Sequence, residues 1–254
     1  MSERVRTTAA DVLYPVGALA VGTALWWTTV AVLEVPPFLL PPPDAVAARL
    51  VANPHLYLRN AWLTLEKVAY GGGLGALAGF VLAILIDSLP WFRRSVYPYL
   101  VTVRVVPKIA IAPLLLIYLG TGMGTAVVFV ALIAFFPLVL NTIAGLGRTP
   151  EEQLDLMRSV NAHPVETFVR VRLPYALPDV FAGLKQSTTL AVVGAVIAEW
   201  LVADGGLGFL ILLAAENVRT DTMLAALLVL LVEGLVLYGG VVALQRGVDR
   251  YAAA

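Results

Sequence analysis

Five charged residues lie within or at the edges of otherwise apolar segments of this sequence, namely Arg104, Lys108, Lys185, Glu199 and Glu233. Three of them are the first candidates for chemistry. Arg104 and Lys108 are four positions apart, and Glu199 follows a long apolar stretch. A charge at the centre of a bilayer costs about 2.5–3.5 kcal/mol, so such residues usually face protein or a water-filled path. Arg104 and Lys108 would favour an anionic or polar solute if they line such a pathway. Alternatively, they extend to the membrane surface or pair with a glutamate.

Other kinds of chemistry are poorly supported. The chain has no cysteine, which excludes disulfides and cysteine nucleophiles. His55 and His163 are far apart in the predicted topology, and we find no catalytic triad, metal-ligand cluster or phosphate-binding G-x-x-x-x-G-K-[ST] motif. The net charge of zero gives no support for nucleic-acid binding. We therefore predict no catalytic residue, no metal site and no cofactor, and we expect that the chain is not itself an enzyme.

The elements that carry these residues are long apolar segments. Of 254 residues, 60% are hydrophobic and 13% are charged, whereas soluble domains carry roughly 25% charged residues. A membrane-spanning helix needs about 20 apolar residues. We therefore predict an all-α membrane protein, one domain over 1–254, with six spans at about 12–33, 62–86, 98–119, 125–146, 179–200 and 222–244.

Basic residues indicate how these spans are oriented. The predicted spans place ten arginines on one side, namely Arg4, Arg6, Arg93, Arg94, Arg148, Arg158, Arg170, Arg172, Arg246 and Arg250. The other side has Arg49, Arg59 and Arg219, with Lys67 near the end of a span. The positive-inside rule places the more basic side in the cytoplasm. Both termini and the loop 147–178, which we call the coupling loop, are therefore predicted to be cytoplasmic.

The coupling loop is unusually charged for a connection between two spans. Seven charged residues lie within 151–178, whereas the 39 residues of 109–147 include none. An amphipathic hairpin on lipid headgroups is one interpretation, but such helices favour Lys and Arg on the polar face. Acidic and basic residues are nearly balanced here, four against three, which favours a docking surface for another protein.

Local signals predict two helices in the coupling loop. Thr149, Pro150 and Glu152 have the spacing of a capping box, with Thr149 as the N-cap. Asn161 then suits the left-handed conformation that ends many helices. A second helix over 164–172 is predicted to end at Leu173 and Pro174, before the fifth span.

The coupling loop resembles that of permease subunits in binding-protein-dependent ABC importers. Those loops carry E-A-A, three residues, G, nine residues and I-x-L-P, and the stretch from Asp155 to Pro174 has the same spacing. It departs by Asp for Glu, Leu-Met for Ala-Ala, and Asn161 for Gly. The stretches VPKIAIAPLLLIYLGTG, FFPLVLNTIAGL, LPYALPDVFAGLK and GAVIAEWL...GGLGFLI are similar to permeases for nitrate, sulfonate, taurine and related small solutes.

This resemblance implies a type I ABC importer permease fold in a prokaryotic inner membrane. It implies three kinds of partner: cytoplasmic ABC ATPases, an extracytoplasmic solute-binding protein and a second permease subunit, commonly an identical copy. The residues matching or adjoining the motif would contact or face the ATPase. They are Asp155, Leu156, Met157, Arg158, Asn161, Ala162, His163, Leu173 and Pro174.

A different class of transporter remains open at this point. A secondary transporter or channel would work without ATP, and a proton relay through Glu199 and Glu233 would be its driving element. Inverted repeats are typical of such transporters, and we find none in the sequence. In either class of transporter, the residues predicted to line a pathway are Arg104, Lys108 and Glu199. Helix packing or gating is the other interpretation of Glu199.

Overall fold

The fold is built from helices joined by short turns. The computed structural model describes residues 9–202 and 204–252, which contain no strand. Arg4 and Arg6, two of the arginines predicted to be cytoplasmic, lie outside the described residues. The helices are α1 (Ala9–Val32), α2 (Pro43–Ala52), α3 (Pro54–Ser88), α4 (Pro90–Val103), α5 (Lys108–Leu119), α6 (Met123–Leu146), α7 (Glu151–Ser159), α8 (Pro164–Val202), α9 (Leu207–Glu216) and α10 (Thr220–Ala252).

Five helices are long and apolar enough to cross a membrane: α1, α3, α6, α8 and α10. The pair α4 and α5 passes the same test when taken together, although the two helices meet at 94°. Counting that pair as one broken span gives six. The predicted all-α architecture with about six transmembrane helices is therefore confirmed.

The third span, predicted at about 98–119, begins earlier, at Pro90, and is a bent pair of helices. Its two halves are separated by Arg104–Pro107, where the backbone of Pro107 is extended. Pro107 has no N–H to donate, and a proline also disfavours the helical conformation of the residue before it. The chain therefore ends one helix and begins another in a new direction.

The centre of the bundle is α6, which packs along α3 on one side and α8 on the other. Glycines of α3 allow a close approach of the two backbones. A Cβ built on Gly75 would lie 2.5 Å from the backbone oxygen of Ala131, and one on Gly79 would lie 2.8 Å from that of Phe135. The backbones of α3 and α6 are therefore in direct contact.

Gly75→Ala should weaken this contact. The added methyl group must push α3 away from α6, and overpacking of this kind costs about 1–3 kcal/mol of unfolding free energy. Thermal unfolding of the purified protein in detergent would measure the loss.

Gly73→Ala is the matched control, because no heavy atom lies within 4 Å of the added Cβ. Alanine favours helix over glycine by about 1 kcal/mol, so Gly73→Ala should keep or slightly raise the melting temperature. Equal melting temperatures for the two variants would contradict the close-packing interpretation.

Candidate functional site

The coupling loop begins differently from the sequence prediction. The capping box is wrong: the residue before α7 is Pro150, and it makes no side-chain cap. Thr149 Oγ1 instead donates a hydrogen bond of 3.1 Å to the carbonyl oxygen of Leu146. The hydroxyl thus binds the end of α6, and it is not aimed at the free N–H groups of α7.

The turn after α7 agrees with the prediction for Asn161. Its φ of +50° is left-handed. The Asn161 N–H donates to the carbonyl of Arg158, and the Ala162 N–H donates to that of Met157, both at 3.0 Å. This pair of hydrogen bonds is a Schellman motif, in which glycine is the usual residue and asparagine an occasional one. His163 then caps the next helix, its Nδ1 accepting from the N–H of Val165 at 3.3 Å.

The helix that follows does not end at Leu173 and Pro174, and that prediction is wrong. It continues as α8 to Val202, with a π-helical turn over Phe168–Arg172. In this turn the Leu173 N–H donates to the carbonyl of Phe168, five residues earlier. The wider turn lets the chain pass Pro174, which lacks the N–H for an ordinary helical bond. One helix therefore runs from the coupling loop through the bundle.

Two ion pairs hold the coupling loop against the bundle. Arg172 Nη1 lies 2.6 Å from Oδ2 of Asp87, and its Nη2 donates to Oδ1 at 2.8 Å. Arg148 donates to both oxygens of Asp179 at 2.7 and 2.9 Å. Asp87 lies near the end of α3, and its side chain is almost fully buried. Its pairing with Arg172 therefore attaches the coupling loop to α3.

The predicted coupling residues form an accessible surface on this support. Asp155, Leu156, Arg158, Asn161, His163 and Pro174 are exposed, and Met157, Ala162 and Leu173 are half-buried. Arg158 donates to Glu151 at 2.9 Å and to Asp155 at 2.6 Å, and these bonds raise the pKa of its guanidinium. Contact of these residues with an ATPase stays a prediction.

Arg104 and Lys108 border one cavity of about 510 Å³ beside the bend between α4 and α5. Asn141 and Gln186 add amide groups to its wall, and Phe136 and Ile197 add apolar surface. Lys108 Nζ donates to the Arg104 carbonyl at 2.6 Å and lies 4.8 Å from the centre of the Phe136 ring. Within residues 9–202 and 204–252 neither cation forms an ion pair, so the cavity is electropositive.

Glu199 does not border that cavity, although the sequence grouped it with Arg104 and Lys108. Its side chain is fully buried between α3 and the first turn of α9. Oε1 accepts from Thr64 Oγ1 at 2.8 Å and from Lys67 Nζ at 3.2 Å, and Oε2 accepts from the Gly208 N–H at 2.7 Å. The carboxylate therefore joins three helices.

Lys67 completes this network. It is 1% exposed, lies 3.2 Å from Asp204 Oδ1, and donates to the Gly205 carbonyl at 2.6 Å. Two further N–H groups at the start of α9 find acceptors on α3: Gly206 bonds Asn60 Oδ1 at 2.9 Å, and Leu207 bonds Thr64 Oγ1 at 2.8 Å. We call Asn60, Thr64, Lys67, Glu199 and Asp204 the latch.

The glycines before α9 are required by the latch. Gly205 and Gly206 have φ of +105° and +115°, in the region that favours glycine. A Cβ on Gly206 would collide with the Glu199 carboxylate, and one on Gly208 would lie 2.8 Å from its Oε2. Only a bare backbone can approach the carboxylate this closely.

Sequence reasoning missed Lys67, which was placed near a span end. The available signal was the spacing of Asn60, Thr64 and Lys67 at i, i+4 and i+7, which puts three polar side chains on one face of a helix. Glu199, the partner of Thr64 and Lys67, is more than 130 positions away. The spacing could therefore have indicated a polar face without identifying what it binds.

Glu233 is outside the network, and both its carboxylate oxygens are buried without a hydrogen bond in the described part of the chain.

Comparison with known proteins places this architecture in a family. A family model described as binding-protein-dependent transport system inner membrane component matches residues 74–250. A probable ABC transporter permease protein of Haemophilus influenzae is 36% identical over 87% of this chain and 91% of its own length. The taurine transport system permease protein of Escherichia coli is 29% identical over 93% of this chain and 88% of its own length.

Further relatives and a solved structure agree with this assignment. A putative aliphatic sulfonates permease of Bacillus subtilis is 30% identical over 67% of this chain and 63% of its own. A nitrate import permease of Synechocystis is 28% identical over 68% of this chain and 63% of its own length. A chain of the MetNI methionine ABC transporter shares the fold, with a TM-score of 0.69 at 19% identity over 78% of this chain and 98% of that one.

The fold is thus that of a type I ABC importer permease, and the resemblance to nitrate, sulfonate and taurine permeases is confirmed. The five apolar helices and the family together make this a multi-pass inner membrane protein. The chain belongs to the family of inner membrane components of binding-protein-dependent transport systems, the permeases of ABC importers.

Proposed function

We propose that this chain is the pathway subunit of an ATP-driven importer, and that its coupling loop docks onto a separate cytoplasmic ATPase. The observation that carries the proposal is an exposed apolar edge on a rigidly held loop. Leu156 and Val160 are 58% and 64% exposed, and Val165 and Val169 are 62% and 53% exposed. Each pair is spaced i, i+4, which places its members on one face. Apolar surface of this kind typically marks a protein contact.

The cytoplasmic placement of the loop is part of this proposal. It is supported by the excess of arginines on the side of the coupling loop. In this orientation both termini are cytoplasmic, and the latch faces the extracytoplasmic side. The ATPase, not this chain, hydrolyses ATP.

The remaining partners follow from the same role. We propose that two copies of this chain enclose the pathway and that an extracytoplasmic binding protein delivers the solute. The family description, a component of a binding-protein-dependent system, supports the second of these partners. The whole of 1–254 then acts as one permease domain.

The solute is proposed to be small and polar or anionic. Relatives named for taurine, aliphatic sulfonate and nitrate transport support this class. So does the cavity with Arg104 and Lys108, because intramembrane cations usually face a partner or a water-filled path. The broken backbone at Arg104–Pro107 is tolerated at membrane depth only where it is buried in protein or lines such a path.

An ATP-independent transporter is the less supported alternative. Its proton relay would need Glu199 to take up and release protons. The Glu199 carboxylate instead accepts hydrogen bonds from Thr64, Lys67 and Gly208, and three partners that fix its orientation favour a structural role.

Asn161 offers the direct test of docking. The permease would be reconstituted in liposomes with its ATPase and binding protein, and vanadate-sensitive solute uptake would be measured. Asn161→Gly should retain uptake, since glycine suits φ of +50°. Asn161→Val should reduce it by a factor of about 5–30, because a side chain branched at Cβ costs about 1–2 kcal/mol in this conformation.

The outcomes separate the two parts of the proposal. Absence of vanadate-sensitive uptake in the wild-type complex, together with failure to co-purify with the ATPase, would overturn the importer assignment. Normal uptake by Asn161→Val would leave the importer assignment standing, but it would contradict a role of the Asn161 turn in docking onto the ATPase.

The cavity makes a second prediction. The double variant Arg104→Gln/Lys108→Gln should import anions at least about tenfold more slowly, because the two uncompensated charges are lost. Taurine, ethanesulfonate and nitrate would be the probes. The exchanged variant Arg104→Lys/Lys108→Arg keeps both charges and should import better than the double glutamine variant. Equal rates for both variants would show that charge in the cavity is not what selects the solute.

A further inference from the structure

α9 is too short to cross a membrane alone. Its ten residues extend about 15 Å, half of the roughly 30 Å of a bilayer core. It connects the end of α8 to the beginning of α10, at the end of α8 opposite the coupling loop. Leu207, Leu210 and Ile211 are buried in an apolar cluster with residues of α2, α3 and α10. α9 therefore closes this end of the bundle.

The latch fixes the first turn of α9 to two other helices. The N–H groups of Gly206, Leu207 and Gly208 are bound by Asn60, Thr64 and Glu199, respectively. These groups have no partner within α9 itself, because the first N–H groups of a helix lack a preceding turn. A carboxylate at this position also meets the positive end of the helix dipole. The beginning of α9 is therefore held in one orientation.

Stability alone does not explain a buried ion pair here. Removing two charges from water is costly, and replacing a buried pair with neutral residues often leaves stability unchanged or raises it. Hydrogen bonds to charged groups, by contrast, impose direction and distance. The pair of Lys67 and Glu199 is thus better suited to positioning α9 than to strengthening the fold.

α8 connects the latch to the coupling loop. It is continuous from Pro164 to Val202, 39 residues or about 58 Å. Asn161 lies three residues before its beginning, and Glu199 lies three residues before its end. The cavity borders α8 from Gln186 to Ile197, so it stops two residues short of the latch carboxylate.

We infer that Lys67 and Glu199 are positioning residues that tie α9 to α3 and α8, so that movement of the coupling loop is passed to α9 and opens the end of the pathway beyond the cavity. This inference rests on the proposed function, because it requires an ATPase that moves the loop. α9 is the moving cover, and the latch makes it follow α8.

The double variant Lys67→Met/Glu199→Gln tests the inference in the reconstituted complex of permease, ATPase and binding protein. It removes both buried charges together, so it avoids the uncompensated buried charge that either single variant leaves. Asp204 also loses its partner, but its side chain is 32% exposed and stays in reach of water. Thermal unfolding in detergent would establish that it is folded. Solute uptake and ATP hydrolysis would then be measured on the same liposomes.

We expect the double variant to hydrolyse ATP at a rate within about twofold of wild type while importing at least about fivefold less solute per ATP. A purely structural role would lower both activities in proportion to the folded protein, leaving their ratio unchanged. The single variant Lys67→Arg, which keeps the charge, should retain most of the wild-type ratio of solute imported per ATP. An unchanged ratio in the folded double variant would overturn the inference.

A labelling experiment supplies an independent measure. Because the chain has no cysteine, Ala214→Cys places a single thiol on the buried side of α9. ATP and vanadate should increase its reaction with a membrane-impermeant maleimide in the otherwise wild-type complex, and should not in the double variant. The same ATP dependence in both backgrounds would contradict the role of the latch.

The matched control is another ion pair on the latch side of the bundle. Arg49 Nε lies 3.3 Å from Asp221 Oδ2 and joins α2 to α10, without being part of the latch. Arg49→Gln/Asp221→Asn should keep the wild-type ratio of uptake to ATP hydrolysis. Loss of coupling in this control equal to that of the double variant would reject a specific role for the latch. Wild-type protein without vanadate-sensitive uptake would instead reject the proposed function.

Discussion

The carboxylate of Glu199 is enclosed without exposed surface, and its need for hydrogen-bond donors determines how three helices meet. A buried charge is tolerated only when it is paired and hydrogen-bonded. Thr64 and Lys67 supply donors from α3, and Gly208 supplies one from α9. The left-handed glycines before α9 follow from the same need, because a side chain at Gly206 would occupy the space of the carboxylate. The position of α9 is thus a consequence of satisfying one charge.

The continuity of α8 gives this local network a wider role. The π-helical turn at Phe168–Arg172 and the prolines at 174 and 178 do not interrupt the helix. Arg172 in that turn is also bound to Asp87 at the end of α3. α8 is therefore attached to α3 near both its ends, by the ion pair of Arg172 within the coupling loop and by the latch at the other end. The two functional regions share the same two helices.

Local signals in the sequence predicted some features correctly and two others wrongly, and features set by distant residues were missed. The number of spans follows from the length of the apolar segments, and the left-handed turn at Asn161 follows from local geometry. The capping box failed because Thr149 found an acceptor at the end of α6. The predicted helix end at Pro174 failed because a wider turn accommodated the proline. Lys67 was missed because its partners lie far along the chain, and only the folded bundle brings them together.

The contact between α3 and α6 also limits how the protein can move. At Gly75 and Gly79 the two backbones touch with no side chain between them, so there is no rotamer whose change would let one helix slide along the other. Shear motions depend on small sliding movements of packed helices, whereas hinges concentrate the change in a few residues. Rocking of α3 and α6 as one body is compatible with this contact, with bending confined to breaks such as Arg104–Pro107. The glycines thereby direct any conformational change into hinges.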